Sequence, residues 1–148
     1  MSDCIFCRIL EGLEPASFVF RDERAAVFVP LQPVNPGHVL VVPVHHAVSL
    51  EELGPSGASE IAVVAQRLSQ ALRRSDVMCE GVNLLLSDGG PAGQAVPHVH
   101  LHVFPRFRGD GFGFRFGPDW GSRPPRDQLD AMAASVRVGL DRLGDDAV

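Results

Sequence analysis

The chain has 148 residues, 45% of them hydrophobic and 21% charged, with a net charge of −5 and a pI near 5.6. That length suits one domain with a sizeable core, and the acidic balance argues against nucleic acid as a partner, because a phosphate backbone selects clustered Lys and Arg. No apolar run approaches the ~20 residues of a membrane span, and the opening MSDCIFCRIL lacks the basic flank and long apolar stretch of a signal peptide. A cytoplasmic protein is therefore expected, with no membrane partner and with Cys4, Cys7 and Cys79 reduced.

Leu10 and Leu13 give a weak helical hint near the start. ASFVFRD (16–22) and AAVFVPL (25–31) read as two strands of a hairpin turned by the charged stretch 21–24. QPVNPG is a loop by its prolines and glycine, and HVLVVPV is a β-branched strand that Pro43 ends or leaves at an edge. Ile61, Val64, Leu68 and Leu72 recur at helical spacing and predict a helix over 59–74. GVNLLLSD and HVHLHVF are strands on either side of the glycine-rich loop GGPAGQAVP. Residues 109–125, rich in Gly, Phe and Pro, read as irregular. Beyond them Leu129, Met132, Ala133, Val136, Leu140 and Leu143 mark a last amphipathic helix. The order predicts an α+β fold, a single domain over 1–148, with a mostly antiparallel sheet of about five strands and two main helices.

Three of the six histidines, His98, His100 and His102, occupy alternate positions of one predicted strand. Strand side chains alternate faces, so the three imidazoles share one side, ~6.6–6.8 Å apart along the strand. Val99, Leu101 and Val103 then face the other way, toward a core. Such a face has a bland reading, a solvated strand side that happens to carry histidine. It also has two chemical ones: a shared metal ion, or nucleophilic and acid–base work on a phosphate. The preceding loop SDGGPAGQAVP offers glycine backbone whose N–H groups can approach an anion closely, which favours the phosphate reading. A glycine loop can equally be no more than a turn between strands.

HVHLHVF resembles the His-φ-His-φ-His-φ-φ signature of the histidine triad (HIT) superfamily of nucleotide hydrolases and transferases. PVNPGHVLVVPVHH resembles the family's other characteristic segment, and CIFCRI the start of many bacterial members. The resemblance covers a motif core at 4–106, leaving 107–148 as a C-terminal loop and helix. It implies a HIT-like fold and a small-molecule nucleotide substrate, a dinucleoside polyphosphate or a nucleoside phosphoramidate. Cleavage at the α-phosphate would pass through a covalent nucleotidyl-histidine and release a nucleoside monophosphate. A transferase or phosphorylase, and a nucleotide-binding module with little catalysis, are the alternatives. The resemblance further implies a homodimer.

Carried over residue by residue, the resemblance makes His100 the nucleophile, with the backbone carbonyl of His98 holding its other nitrogen protonated. His102 and His38 would attend the phosphate. Gly93 and Gln94 would contact it from the loop, and Ser87 would lie near the leaving group. Ile5, Phe6 and Phe28 would line the base pocket, although on residue type alone those three are ordinary core positions. At Pro30 the family usually carries an Asp or Asn that binds ribose hydroxyls; proline has no such group, and Gln32 is the nearest polar substitute. PRFRGDGF resembles the branch nearer the dinucleoside polyphosphate hydrolases, where Arg106 and Arg108 would meet further phosphates unless they are simply solvated.

The C-x-x-C pair Cys4 and Cys7 reads as small turn residues, a redox pair, or half of a zinc site. The resemblance completes the zinc set with His46 and His98, with His45 as the neighbouring candidate. A Cys2His2 set is closed and tetrahedral, so zinc is expected to be structural. Cys79 stands apart and is expected to be a buried structural thiol.

Overall fold

A computed structural model describes residues 4–144. Its contacts divide into two units, one ending at Gly111 and one beginning at Phe112. The first holds five strands, β1 (Phe18–Arg21), β2 (Ala25–Phe28), β3 (Val39–Pro43), β4 (Gly81–Leu86) and β5 (Leu101–Arg106), with helices α1 (Ile5–Leu10) and α2 (Leu50–Leu72). All neighbouring strands pair antiparallel, as the sequence predicts, and their order is β1-β2-β3-β5-β4.

The β1–β2 hairpin turns where the charged stretch places it. Asp22 accepts 2.8 Å hydrogen bonds from the amides of Arg24 and Ala25, an Asx-type closure that a short carboxylate makes locally. β2 and β3 are buried at every position, because both faces of the sheet are covered. One face carries Ala25, Val27, Val39, Val41, Val99, Leu101 and Val103, packed with Ile61 and Ala65 of α2. The other carries Ala26, Phe28, Leu40 and Val42, packed with Phe6, Ile9 and Leu10 of α1. Strand alternation therefore produces two cores from one set of β-branched runs.

The α2 helix begins well before the predicted Ser59. Ser49 caps it, its hydroxyl accepting from the Glu52 amide at 3.2 Å while Glu52 reaches back to the Val48 amide at 2.6 Å. Gly54, at φ 70° and ψ 173°, then breaks the helical path before Pro55 restarts it. That Gly-Pro step masks the early turn in the sequence. Leu13, offered as a helix residue, lies beyond α1 and is exposed.

Gly37 is the glycine the site depends on. Its φ is +95°, and a Cβ there would meet Val77, Leu72 and Pro105 at 3.1–3.3 Å. The backbone turns through this point directly into His38.

The second unit holds helix α3 (Arg126–Leu143), the predicted last helix, with Asp127 in its first turn and Arg142 in its last, the charge order its dipole favours. Among the described residues no helix is long and apolar enough to cross a membrane.

Candidate active site and metal centre

The histidines meet on the α1 side of the sheet. β5 starts at Leu101, so His98 and His100 precede the strand that was predicted to contain them. The backbone there is held differently: the Val99 amide donates to Ala47 O at 2.8 Å and the His98 amide to Val96 O at 2.8 Å. The shared face survives this. Phe6 packs edge-on against both His98 and His100, at 5.9 and 5.2 Å between ring centres, and His100 lies 5.0 Å from His102. Val99, Leu101 and Val103 enter the opposite core.

Hydrogen-bond partners that can only donate or only accept fix where the protons sit. The carbonyl of His98 accepts from Nδ1 of His100 at 2.7 Å, so neutral His100 keeps its lone pair on Nε2. The Val34 amide donates to Nδ1 of His38 at 2.9 Å, which leaves the His38 proton on Nε2. That Nε2–H faces Nδ1 of His102 at 3.0 Å, so the His102 proton lies on its own Nε2. Burial pushes the pKa of His38 down to about 4 and that of His102 to about 4, the latter helped by the neighbouring His100 and His38. Both rings are therefore neutral donors near pH 7.

A second cluster shares His98. The ligating atoms of Cys4, Cys7, His46 and His98 all lie within 4.8 Å of one another. The two Nδ1 atoms of His46 and His98 are 3.3 Å apart, and Sγ–Nδ1 separations run 3.4 Å for Cys4–His98, 3.7 Å for Cys7–His98 and 3.2 Å for Cys7–His46. Tetrahedral zinc with ordinary bond lengths requires edges of roughly 3.3 Å for N–N and roughly 3.5 Å for S–N, so the donor set fits. The His98 Nε2–H donates to the Pro43 carbonyl at 2.9 Å, which leaves Nδ1 free to ligate. Burial lowers the His98 pKa, again favouring the neutral ligand form. His46, rather than its neighbour His45, joins the cluster.

Other expected site residues are placed as follows. Phe6 and Phe28 pack edge-to-face at 5.5 Å in the α1-side core, while Ile5 is 41% exposed and so offers a surface that a ligand can cover. Ser87 adjoins Gly93, a Cβ built there lying 3.8 Å from the serine oxygen. The loop's donors are already engaged. Gly93 N–H bonds Gly90 O at 2.9 Å, and the Gln94 side chain accepts from Gly89 N at 2.7 Å and donates to Val48 O at 2.8 Å. Gln94 thus braces the loop against the segment before α2. Pro30 is half-buried and Gln32 exposed. Arg106 pairs with Asp110 and Asn83, whereas Arg108 is exposed. Cys79 is half-buried, its thiol 3.3 Å from Gly81 O. Sequence reasoning missed Asn35 and Asp110, although both lie within segments that carry the family resemblance, because neither was assigned a partner.

The family model for the HIT domain matches residues 11–109. The chain belongs to the HIT family. A HIT-like protein of Borreliella burgdorferi is 38% identical over 118 residues, 79% of this chain and 85% of that one. An adenosine 5′-monophosphoramidase, HNT1 of Candida albicans, is 32% identical over 71% of each chain. A crystal structure of a Zn-bound histidine triad family protein from Mycobacterium smegmatis superposes with a TM-score of 0.73 at 34% identity, covering 95% of this chain and 97% of that one. The HIT relatives thus include a nucleotide phosphoramidase and a zinc-bound protein.

Proposed function

We propose that the protein hydrolyses a nucleotide at its α-phosphate, a dinucleoside polyphosphate or a nucleoside phosphoramidate, and releases a nucleoside monophosphate. The observation that carries this reading is the 2.7 Å hydrogen bond from His100 Nδ1 to the His98 carbonyl, which reserves Nε2 as the attacking lone pair.

In the first half-reaction His100 Nε2 forms a bond to the α-phosphorus as the bond from phosphorus to the leaving group breaks. The leaving group departs with the bonding pair and takes a proton from solvent. The nucleotidyl-imidazolium keeps its Nδ1–H on the His98 carbonyl, so its new positive charge is met by a fixed dipole. In the second half-reaction water adds to phosphorus and gives up a proton to solvent, the N–P bond breaks, and the pair returns to Nε2. His102 presents its Nε2–H to a phosphoryl oxygen, where charge develops in both transition states. His38 holds His102 in that tautomer. Ser87 stands toward the leaving group, Gly93 and Gln94 shape the loop around the phosphates, and Ile5, Phe6 and Phe28 cover the base.

Cys4, Cys7, His46 and His98 would hold zinc, which supplies a structural cross-link between α1 and the segment leading into β5. The protein acts as a homodimer, which light scattering checks. The lack of an acidic group at Pro30 leaves ribose hydroxyls to other partners, so a weaker preference between ribose and deoxyribose substrates is expected than an Asp or Asn there would give.

The test is a hydrolysis panel of diadenosine polyphosphates, adenosine 5′-phosphoramidate and nucleotide sugars, run with the wild type and His100→Ala. Cleavage of the first or second class, lost in the variant, upholds the proposal. Binding without turnover of any member identifies a nucleotide-binding module instead.

A further inference from the structure

Between the last strand and the turn that delivers His38 lies a polar chain that takes no part in the proposed reaction. The Asp110 side chain is 3% exposed, and Asn35 is 6% exposed. Asp110 receives Nε and Nη2 of Arg106 at 2.6 and 2.9 Å, the Asn35 amide at 3.0 Å and, longer, the Phe107 N–H at 3.4 Å. Arg106 extends the chain to Asn83 on β4 at 2.6 Å. Every one of these groups donates to Asp110, which suits an acceptor-only carboxylate and not its amide isostere.

A bond within the 106–110 turn needs only Arg106 and Phe107. Asp110 also reaches 75 residues back to Asn35, and Asn35 clamps itself a second time on the Pro105 carbonyl at 2.9 Å. Asn35 in turn holds His38 by its backbone, its carbonyl accepting the His38 N–H at 3.0 Å. The same tight turn aims the Val34 N–H at His38 Nδ1. The side-chain chain therefore ends on the group that decides which His38 nitrogen carries the proton, and through it which His102 nitrogen does.

We propose that Asp110, acting through Asn35, is a positioning residue that locks His38 and His102 in their Nε2–H tautomers. It touches no substrate; it fixes the turn whose Val34 amide fills His38 Nδ1. Without that amide, His38 samples both tautomers, and half of the pairings turn the His102 proton away from the phosphate. The catalytic consequence rests on the hydrolase reading above, whereas the tautomer lock is a property of the folded chain alone.

Asp110→Asn and Asn35→Ala are compared with the wild type by long-range ¹H–¹⁵N correlation of the histidine rings, with circular dichroism as the check on folding. The expected result is a fixed Nε2–H form for His38 and His102 in the wild type and averaged ring nitrogens for both in either variant. With adenosine 5′-phosphoramidate as substrate, kcat falls about tenfold to a hundredfold while KM changes little, the pattern of a misplaced group that acts in the transition state. Folded variants that keep both Nε2–H tautomers overturn the proposal, whatever their rates. If Asp110→Asn does not fold, Asn35→Ala decides alone, since it leaves the Arg106–Asp110 pair intact. A wild type inactive on both diadenosine polyphosphates and adenosine 5′-phosphoramidate sinks the hydrolase reading while the ring spectra still judge the lock.

Discussion

His98 and His100 are joined twice over, by the chain and by a 2.7 Å hydrogen bond from the ring of one to the carbonyl of the other. The ring of His98 points its Nδ1 at Cys4, Cys7 and His46, and its Nε2–H at Pro43. One residue thus gives its side chain to the candidate metal cluster and its backbone carbonyl to the ring proposed as nucleophile. The two centres are adjacent in space yet chemically separate, and they respond differently to substitution.

Cys4→Ser removes one of four metal donors and should release zinc, measured as bound metal per chain after dialysis. The melting temperature should fall by about 5 °C or more, because a ligand held only by the folded state stabilises it by mass action. His100→Ala should keep a full complement of zinc. Metal content unchanged in Cys4→Ser would remove that residue from the site.

Acid should weaken the fold through His38. Its pKa is depressed to about 4 from an ordinary 6.5, so between those values the unfolded chain binds a proton that the folded chain refuses. Stability from this group is complete above pH 6.5 and declines as pH falls toward 4, by about 3 kcal/mol in all. His102 acts in the same direction. Urea titrations from pH 7.5 to 4.5 should show a shallower loss for His38→Asn than for the wild type. Parallel pH slopes would mean that His38 is not buried neutral.

Gly37→Ala should destabilise by about 1–3 kcal/mol, since it combines a left-handed backbone with a Cβ crowded by Val77, Leu72 and Pro105. Its chemical effect should exceed that of an equally destabilising change in the α2-side core, such as Val64→Ala, because Gly37 adjoins His38. Comparison of kcat at matched folded fraction checks this. Equal kcat in the two variants would detach the turn from the chemistry.

The sheet was legible because β2 and β3 are short apolar runs bounded by charged or proline-rich turns, and in the histidine segment the period-2 alternation correctly divided Val99, Leu101 and Val103 from the three imidazoles. The early turn of α2 was not, because Gly54 and Pro55 interrupt a helix that Ser49 and Glu52 had already begun. The candidate metal set was named from the motif resemblance, and the fold brings its four donor side chains together. Arg106 was read as a phosphate contact or a solvated surface group. It is instead tied to Asp110, four residues on, whose carboxylate shows no periodic signal that would mark it as a buried partner. The Asn35–Asp110 pair spans 75 residues, and nothing local in either segment encodes that meeting.

The most direct measurement of the covalent mechanism is to mix enzyme with excess adenosine 5′-phosphoramidate, quench within milliseconds in alkali, where phosphoramidates of histidine persist, and map the adduct by peptide mass. An adenylyl group on the peptide carrying His98, His100 and His102, localised to His100 and absent from His100→Ala, is the predicted result. Turnover about a thousandfold slower should accompany its loss. An adduct on another residue, or full turnover by His100→Ala, would contradict it.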